Sequence, residues 1–284
     1  MARRLTLDIS ETVWAELVKR RSSTGEDYST IVEAALTEAF DIRRHSLFQV
    51  STSNALVQGV FSGVLTVAEL KRHGDLGLGT FAGLDGELVM VDGECMRATA
   101  GGVVGPADDD REIPFALVTN FRPDSSVELS AVEDVVSLQV QLDQSRPSQN
   151  LFTAIRIDGS FDTLTMRAAC PAGEDEGLLA ATKHQSEFSA RDVVGSLVGF
   201  WAPEYSQAIS IPGYHFHFLS ADRSLGGHVL DLTAASLRAD IQLESDLHLA
   251  IPGTEDFLTA DLSGKHLEAL NEAETGRAGQ AGPV

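Results

Sequence analysis

The chain contains the segment GYHFHFL, in which two of its eight histidines are separated by a single residue. Side chains alternate between the two faces of a β-strand, so Tyr214, Phe216 and Phe218 are expected on one face. This aromatic face is suited to a hydrophobic core. His215 and His217 then share the opposite face at a Cα separation of about 7 Å, near enough to bind one ion at about 2.1 Å from each nitrogen.

A third histidine, His228, follows in the segment GGHVLD. The intervening SADRSLGG is typical of a β-turn, which would return the chain and bring His228 beside the first two imidazoles. Hydrogen-bonded core histidines are the alternative interpretation, but three converging imidazoles favour a metal site. Structural zinc sites are usually closed and rich in cysteine, so three histidines with an open fourth position favour a catalytic ion. The residues alone admit zinc, manganese, iron, cobalt or nickel.

Composition restricts the class of protein. At 284 residues with 43% hydrophobic side chains, the chain can form one large core or two modest ones. The net charge of −21 argues against extensive binding of nucleic acid or anionic membranes. Cys95 and Cys170 form no CxxC pair, the first residues lack the apolar stretch of a secretion signal, and no run approaches the roughly 18 apolar residues of a membrane helix. We therefore expect a cytoplasmic protein.

Residues 1–44 have a pattern different from the rest of the chain. RLTLDIS alternates, with Leu5, Leu7 and Ile9 on one face, and the segments ETVWAELVKRR and TIVEAALTEAF have helical spacing of apolar residues. This strand-helix-helix order resembles the ribbon-helix-helix family, in which two chains pair their strands and interlock their helices. So small a module cannot bury its apolar faces alone, which predicts a homodimer.

The same resemblance implies a DNA-binding face, on which Arg4, Thr6 and Asp8 would enter the major groove. Asp8 would repel the phosphate backbone, and residues 1–44 contain seven basic and eight acidic side chains, so no basic footprint exists. We therefore interpret this segment as a dimerisation arm rather than a DNA reader.

From Leu47 onward the pattern is mostly β. LDGELVMVDGE places a strand between two Asp-Gly pairs, which predicts a hairpin. Further strands are predicted in VSLQVQL, TAIRIDGSFDTLTMRAA, RDVVGSLVGFW, ISIPGYHFHFL, HVLDLTAASLRADIQL and HLAIP. Short helices are expected in SLFQVSTSNALVQGVFSG and LTVAELKRHG, and a final helix in GKHLEALNEAE. The predicted fold class is α+β, mostly β, with a mixed or antiparallel sheet and a half-barrel-like β domain that carries the histidines. We expect domain limits at 1–44, 45–264 and 265–284.

Two further charged residues lie within predicted strands. Glu87 follows the first Asp-Gly turn and shares a strand face with Val89 and Val91, so its carboxylate lies either in solvent at the strand end or in a site. Arg167 lies in TLTMRAA on a polar strand face. The residue pattern alone favours solvent exposure at both positions.

Four segments are similar, in the same order, to motifs of the α-acetolactate decarboxylase family: LFQVSTSNALVQG, HGDLGLGTFAGLDGEL, KHQSEFSARDVVGSLVGFWAPEY and IPGYHFHFLSADRSLGGHVLDL. The resemblance runs from Leu47 to about Glu274 and rests on several independent motifs. It implies conversion of (S)-2-acetolactate to (R)-acetoin and carbon dioxide at a zinc ion, without an organic cofactor.

Carried over by motif, the resemblance also implies the site residues. They are the zinc ligands His215, His217 and His228, the catalytic residues Glu87, Arg167 and Glu274, and the substrate-binding residues Thr80 and Arg167. Zinc would stabilise the enediolate that remains after loss of CO₂, the arginine would pair with the departing carboxylate, and a carboxylic acid would deliver a proton to one face.

Two alternatives from other classes remain open. A cupin-like metal-binding or oxygenase domain also carries His-x-His on a strand, but it usually places a glutamate ligand a few residues later, where this chain has Ala221. A ligand-responsive regulator would use the N-terminal module as a DNA reader and a disabled enzyme as its sensor. The complete set of matching site residues and the absence of a basic face disfavour the regulator.

Overall fold

A computed structural model describes residues 6–39, 45–173, 177–182 and 185–263. The chain divides into two compact units, Met1–Arg43 and Arg44–Val284. The helices are α1 Glu11–Thr24, α2 Tyr28–Ala39, α3 Ser53–Val57, α4 Val67–Leu70, α5 Val135–Ser145, α6 Leu178–Thr182 and α7 Glu255–Thr259. The strands are β1 Ser46–Val50, β2 Leu65–Thr66, β3 Leu76–Thr80, β4 Glu87–Val91, β5 Glu94–Ala98, β6 Val104–Pro106, β7 Glu112–Ile113, β8 Phe115–Thr119, β9 Ser125–Val132, β10 Phe152–Ala168, β11 Ser186–Ala202, β12 Gly213–Ser220, β13 Gly226–Glu244 and β14 Asp246–Ala250.

The two helices predicted in the N-terminal unit are confirmed. The Ser10 hydroxyl caps α1 by accepting a hydrogen bond from the Val13 N–H at 3.4 Å, and Gly25 ends the helix with a φ of 76°, which glycine adopts without steric cost. The rings of Trp14 and Tyr28 join the two helices with centroids 5.1 Å apart. The Arg21 guanidinium also lies over the Tyr28 ring, 4.6 Å from its centroid, so local capping and contacts around Tyr28 both support the helix pair.

The strand predicted from Arg4 to Ile9 is not present in the part of it that the structure describes. Residues 6–10 have no strand hydrogen bonds, and Arg4 and Leu5 lie outside the described residues. The side chains of Leu7 and Ile9 are 55% and 45% exposed. A ribbon strand needs a second strand to satisfy its backbone groups, so the pairing of two copies stays a prediction.

The larger unit contains two main sheets, which confirms the mostly β, α+β fold class with a mixed sheet. The seven-stranded sheet has the order β14-β1-β8-β3-β4-β5-β6, and only the β1–β14 pair in it is parallel. The five-stranded sheet has the order β10-β11-β12-β13-β9, with an additional β10–β13 pairing that makes it barrel-like. The predicted hairpin is confirmed as β4 and β5, joined at Asp92 and Gly93. Within the described ranges, no helix is long and apolar enough to cross a membrane.

Two predictions of local structure were wrong. VSLQVQL lies in α5 rather than in a strand, although its apolar residues alternate. Asp134 caps this helix, and Leu138 and Leu142, four residues apart, are buried, whereas Val136 and Val140 are exposed. The opening of SLFQVSTSNALVQGVFSG is strand β1, paired with β8 and β14, and only Ser53–Val57 is helical. Tertiary packing therefore overrode the local pattern in both segments.

Packing against β11 determines the orientation of β12. Gly195 and Gly199 lie beneath the rings of Phe218 and Phe216, in positions where a Cβ atom would collide with those rings. Phe216 and Phe218 are 3% and 0% exposed in the core, as the sequence predicts. Because side chains alternate, His215 and His217 must then project from the other face of β12.

Candidate metal centre and active site

The structure brings His215, His217 and His228 together in a buried cluster. The hairpin of β12 and β13 pairs His217 directly with His228. His215 Nε2 lies 3.1 Å from both His217 Nε2 and His228 Nδ1, and the three side chains are at most 8% exposed. The predicted β-turn return of the chain thus produces the predicted convergence of imidazoles.

Two of the imidazoles, those of His215 and His217, are held in the neutral state. Burial, followed by the positive charge of Arg167, lowers the pKa of His215 to about 3. Burial, the neighbouring His215 and Arg167 also hold the pKa of His217 well below its usual range. The carbonyl oxygen of Leu88 lies 2.8 Å from His217 Nδ1 and can only accept, so this nitrogen carries the proton and Nε2 keeps its lone pair.

This donor set fits a transition-metal ion. A tetrahedral ion about 2.0–2.1 Å from each nitrogen places its ligand atoms about 3.3 Å apart. The 3.1 Å separations from His215 Nε2 are close to that value, and all three ligand atoms lie within 4.8 Å of one another. Unprotonated imidazoles this close together are what such an ion requires. The cluster could hold a metal ion, and the nitrogen donors leave its identity open among the divalent transition metals.

Glu87 lies beside this cluster rather than in solvent. The residue is 7% exposed because β4 packs against β12 and β13. Oε1 accepts a hydrogen bond from the Ala169 N–H at 2.8 Å, and Oε2 lies 3.6 Å from His217 Nε2. Solvent exposure, which the residue pattern alone favours at this position, is therefore wrong.

Arg167 is also buried, with 7% of its surface exposed. In the β10–β13 ladder it pairs with His228, so its guanidinium belongs to the same site. Thr80 is paired with Glu87 across β3 and β4, and its hydroxyl donates to the Gly86 carbonyl at 2.9 Å. Thr80 therefore lines the pocket with its hydroxyl proton engaged by the turn before Glu87.

The site residues described above, except His217, line one pocket. Thr80, Glu87, Arg167, His215 and His228 form its polar side. Its other side is mainly apolar and is formed by Leu56, Leu84, Phe115, Leu178 and Ile211. Sequence reasoning missed this wall. Leu56 and Ile211 lie within segments similar to decarboxylase motifs, and this similarity could have predicted their place in the pocket wall. Phe115 and Leu178 lie outside those segments, so the sequence offers no such indication for them.

The predicted catalytic residue Glu274 lies outside the described residues. The last described segment nevertheless runs near the pocket, because the Leu262 carbonyl accepts a hydrogen bond from the Asn54 amide at 3.2 Å. Asn54 belongs to α3, the helix that contributes Leu56 to the apolar wall. The chain is therefore close to the site shortly before residue 264.

Buried imidazoles, a carboxylate and a guanidinium lie together at one pocket, which is a candidate small-molecule site beside a histidine cluster that could hold a metal ion. A family model described as alpha-acetolactate decarboxylase matches residues 47–264. The alpha-acetolactate decarboxylase of Methanosarcina mazei is 38% identical over 89% of this chain and 87% of its own length. That of Bacillus licheniformis is 35% identical over 85% of this chain and 96% of its own.

A solved structure gives the same result. The crystal structure of alpha-acetolactate decarboxylase from Bacillus subtilis strain 168 superposes with a TM-score of 0.78 at 34% identity, covering 82% of this chain and 100% of that one. The chain therefore belongs to the α-acetolactate decarboxylase family, and it is a carboxy-lyase. This membership selects the decarboxylase over the cupin-like alternative.

Proposed function

We propose that the protein converts (S)-2-acetolactate to (R)-acetoin and carbon dioxide with a zinc ion held by His215, His217 and His228. The observation that carries the proposal is the buried cluster of three imidazoles, two of which line one pocket together with Glu87 and Arg167. The relatives that are similar over most of the chain are named for this activity. Divalent ions other than zinc would also suit three nitrogen donors.

A bound divalent ion would supply a Lewis acid for the adjacent carbonyl and hydroxyl oxygens of the substrate. Arg167 binds and orients the substrate carboxylate, since a guanidinium can donate two parallel hydrogen bonds to it. The apolar wall with Leu56 and Ile211 receives the methyl groups and excludes water. The pairing of the substrate carboxylate with the buried Arg167 thus accounts for binding of an anionic substrate by a chain whose net charge is −21.

The chirality of acetoin requires that a proton reach one face of the carbon that loses CO₂. Glu87 is suited to hold that proton, because Oε1 is engaged by the Ala169 N–H while Oε2 faces the histidine cluster. We propose that Glu274 also enters the site from the C-terminal helix, since the chain approaches α3 through Leu262. The two glutamates are then the candidate proton donors.

The experiment is direct. Purified protein is incubated with (S)-2-acetolactate, acetoin is resolved on a chiral column, and the metal content of the same sample is measured. The proposal expects (R)-acetoin and close to one zinc ion per chain. Absence of acetoin from fully metal-loaded protein would contradict the proposed activity. Release of racemic acetoin would contradict only the stereochemical part.

We also propose that residues 1–44 are a dimerisation arm of a cytoplasmic homodimer. Exposed apolar side chains support the arm, since Val13 and Trp14 are 49% and 46% exposed on the same segment as Leu7 and Ile9. Two thiols that form no disulfide, Cys95 and Cys170, support a reducing compartment. Balanced charge in the arm gives it no phosphate-binding footprint.

A further inference from the structure

The turn before Glu87 has a strained backbone. Leu84 has a φ of 57° although it is neither glycine nor asparagine, and it is only 1% exposed. Gly86 follows with a φ of 102°. A left-handed leucine persists only where its surroundings restrain it, and such positions are concentrated near functional sites.

Asp85, between these two residues, is bound by two arginines. Arg97 Nη2 donates to Asp85 Oδ1, and Arg97 Nε donates to the Asp85 backbone carbonyl at 2.6 Å. Arg111 Nη1 donates to Asp85 Oδ2 at 2.6 Å. Each carboxylate oxygen and the main-chain oxygen therefore has a cationic donor. Ion pairs with both oxygens occupied fix a carboxylate in position and orientation, unlike a single surface pair.

The pKa of Asp85 is consistent with a carboxylate held between two arginines. Burial alone would raise the pKa of Asp85, but the hydrogen bonds and charges of Arg111 and Arg97 outweigh it and hold the pKa below the ordinary value. The side chains of Asp85, Arg97 and Arg111 are between 26% and 33% exposed. The three groups therefore form a partly buried cluster on the outer side of the turn, and none of the three lines the pocket.

The turn leads directly to the carboxylate beside the histidines. Glu87 begins β4 two residues after Asp85, and Leu88, its neighbour, is paired with Arg97 across β4 and β5. The Thr80 hydroxyl holds the Gly86 carbonyl from the pocket side. Rotation of the Asp85–Gly86 unit would move Glu87 away from both the Ala169 N–H and His217. A displacement of about 1 Å in a catalytic group can cost on the order of 100-fold in rate.

We propose that Asp85, clamped by Arg97 and Arg111, is a positioning residue that holds the Glu87 carboxylate at the active site. The proposal rests on the proposed function only in taking Glu87 as a participating carboxylate. Asp85 does not touch the pocket, so its effect on catalysis passes through Glu87.

The first test is a double-mutant cycle on acetolactate decarboxylation. Asp85→Asn, which keeps the size but loses the charge, should lower kcat roughly tenfold and change KM less than about twofold. In a Glu87→Gln background, the same change should have no further effect on kcat, since the group being positioned is already disabled. Asp109→Asn is the matched control, because Asp109 pairs with Lys71 at 2.7 Å on the surface and is 71% exposed. It should behave as the parent.

The second test reads the position of Glu87 without using activity. Hydrogen exchange of the peptide that contains Ala169 should be faster in Asp85→Asn than in the parent and unchanged in Asp109→Asn, because the Ala169 N–H donates to Glu87 Oε1. If Asp85→Asn does not fold, Arg111→Lys, which keeps the charge but not the planar donor geometry, is measured in the same two assays.

Distinct outcomes separate the two proposals. An unaltered kcat in Asp85→Asn would overturn the positioning role. So would a double mutant whose loss of kcat equals the product of the losses in Asp85→Asn and Glu87→Gln. Unaltered exchange at Ala169 would overturn it as well. Failure of the parent protein to decarboxylate acetolactate would refute the proposed function, while the exchange measurement would still decide whether Asp85 holds Glu87.

Discussion

Arg167 and His228 are directly paired in the antiparallel ladder between β10 and β13, just beyond a register shift between Thr165 and Met166. The pairing places a guanidinium beside the third imidazole of the cluster. The same positive charge contributes to the lowered pKa values of His215 and His217. One strand register therefore places an imidazole that could hold a metal ion beside a cation, and that cation adds to burial in lowering the pKa values of His215 and His217.

His217→Ala is expected to remove both bound metal and decarboxylase activity. His217 is the imidazole whose tautomer is set by the Leu88 carbonyl, so its Nε2 is a well-oriented ligand. Metal content by mass spectrometry and acetoin release from one preparation measure both effects. His248→Ala, at a 40% exposed side chain on β14, is the control and should retain both. Stoichiometric metal or normal turnover in His217→Ala would refute the ligand assignment.

Glu87→Gln and Arg167→Ala should each lower kcat/KM on the order of 100-fold or more, because a proton donor or an anion clamp is removed. Glutamine keeps an acceptor for the Ala169 N–H, so Glu87→Gln should unfold close to the parent temperature. Glu94→Gln and Arg122→Ala, at side chains 64% and 58% exposed, are the matched controls. Normal turnover in either active-site variant would show that its residue has only a structural role.

Truncation of the C-terminal segment tests Glu274. A chain ending at Ala273 should turn over slowly but still bind metal, since the three histidines lie on β12 and β13. A chain ending at Glu274 should lose little activity. A carboxyl group near a bound anion in a pocket with little water is favoured in its protonated form, which is ready to donate. Steady-state kinetics of both truncated proteins decide the point, and equal activities would exclude Glu274 from the mechanism.

Deletion of residues 1–44 should weaken self-association and leave metal binding and decarboxylation intact. The three histidines, Glu87 and Arg167 all lie in the unit that begins at Arg44. Sedimentation velocity of the intact and shortened proteins measures association, and acetoin release measures activity. Salt-sensitive, sequence-selective DNA binding by the intact protein would contradict the dimerisation arm and support a regulator.

Glu244→Gln should remove a pH dependence of stability. Glu244 is 2% exposed, and burial raises its pKa to about 7 despite hydrogen bonds from Thr119 and Gln242. The folded protein therefore holds a proton that the unfolded chain releases near pH 4.5, so the parent loses stability as the pH rises from 4.5 through 7. The loss amounts to roughly 3 kcal/mol at most.

Urea unfolding at pH 5 and pH 8 measures this effect. The free energy of unfolding of Glu244→Gln, taken relative to that of the parent, should be higher at pH 8 than at pH 5. The reason is that glutamine remains neutral at both pH values. An equal difference between the two proteins at both pH values would show that Glu244 does not titrate in this range. Glu128→Gln, on the exposed part of β9, is the control and should show the same pH dependence as the parent.

The sequence alone determined the features that depend on neighbours along the chain. Alternation in GYHFHFL predicts the buried aromatic face and the opposite histidine face, and the short return to His228 predicts a hairpin. The two Asp-Gly pairs predict β4 and β5. These predictions succeed because strand alternation and turn conformation are properties of a few consecutive residues.

Tertiary structure alone decided what depends on non-local register. Glu87 and Arg167 look like surface charges in isolation, and they become buried only because β4 packs against β12 and β13 and β10 pairs with β13. VSLQVQL alternates like a strand yet forms α5, because Leu138 and Leu142 find a buried surface at helical spacing. Phe115 and Leu178 join the pocket wall from distant parts of the chain. Periodicity shows which face of an element is apolar, but the partner of that face is set by packing between segments far apart in sequence.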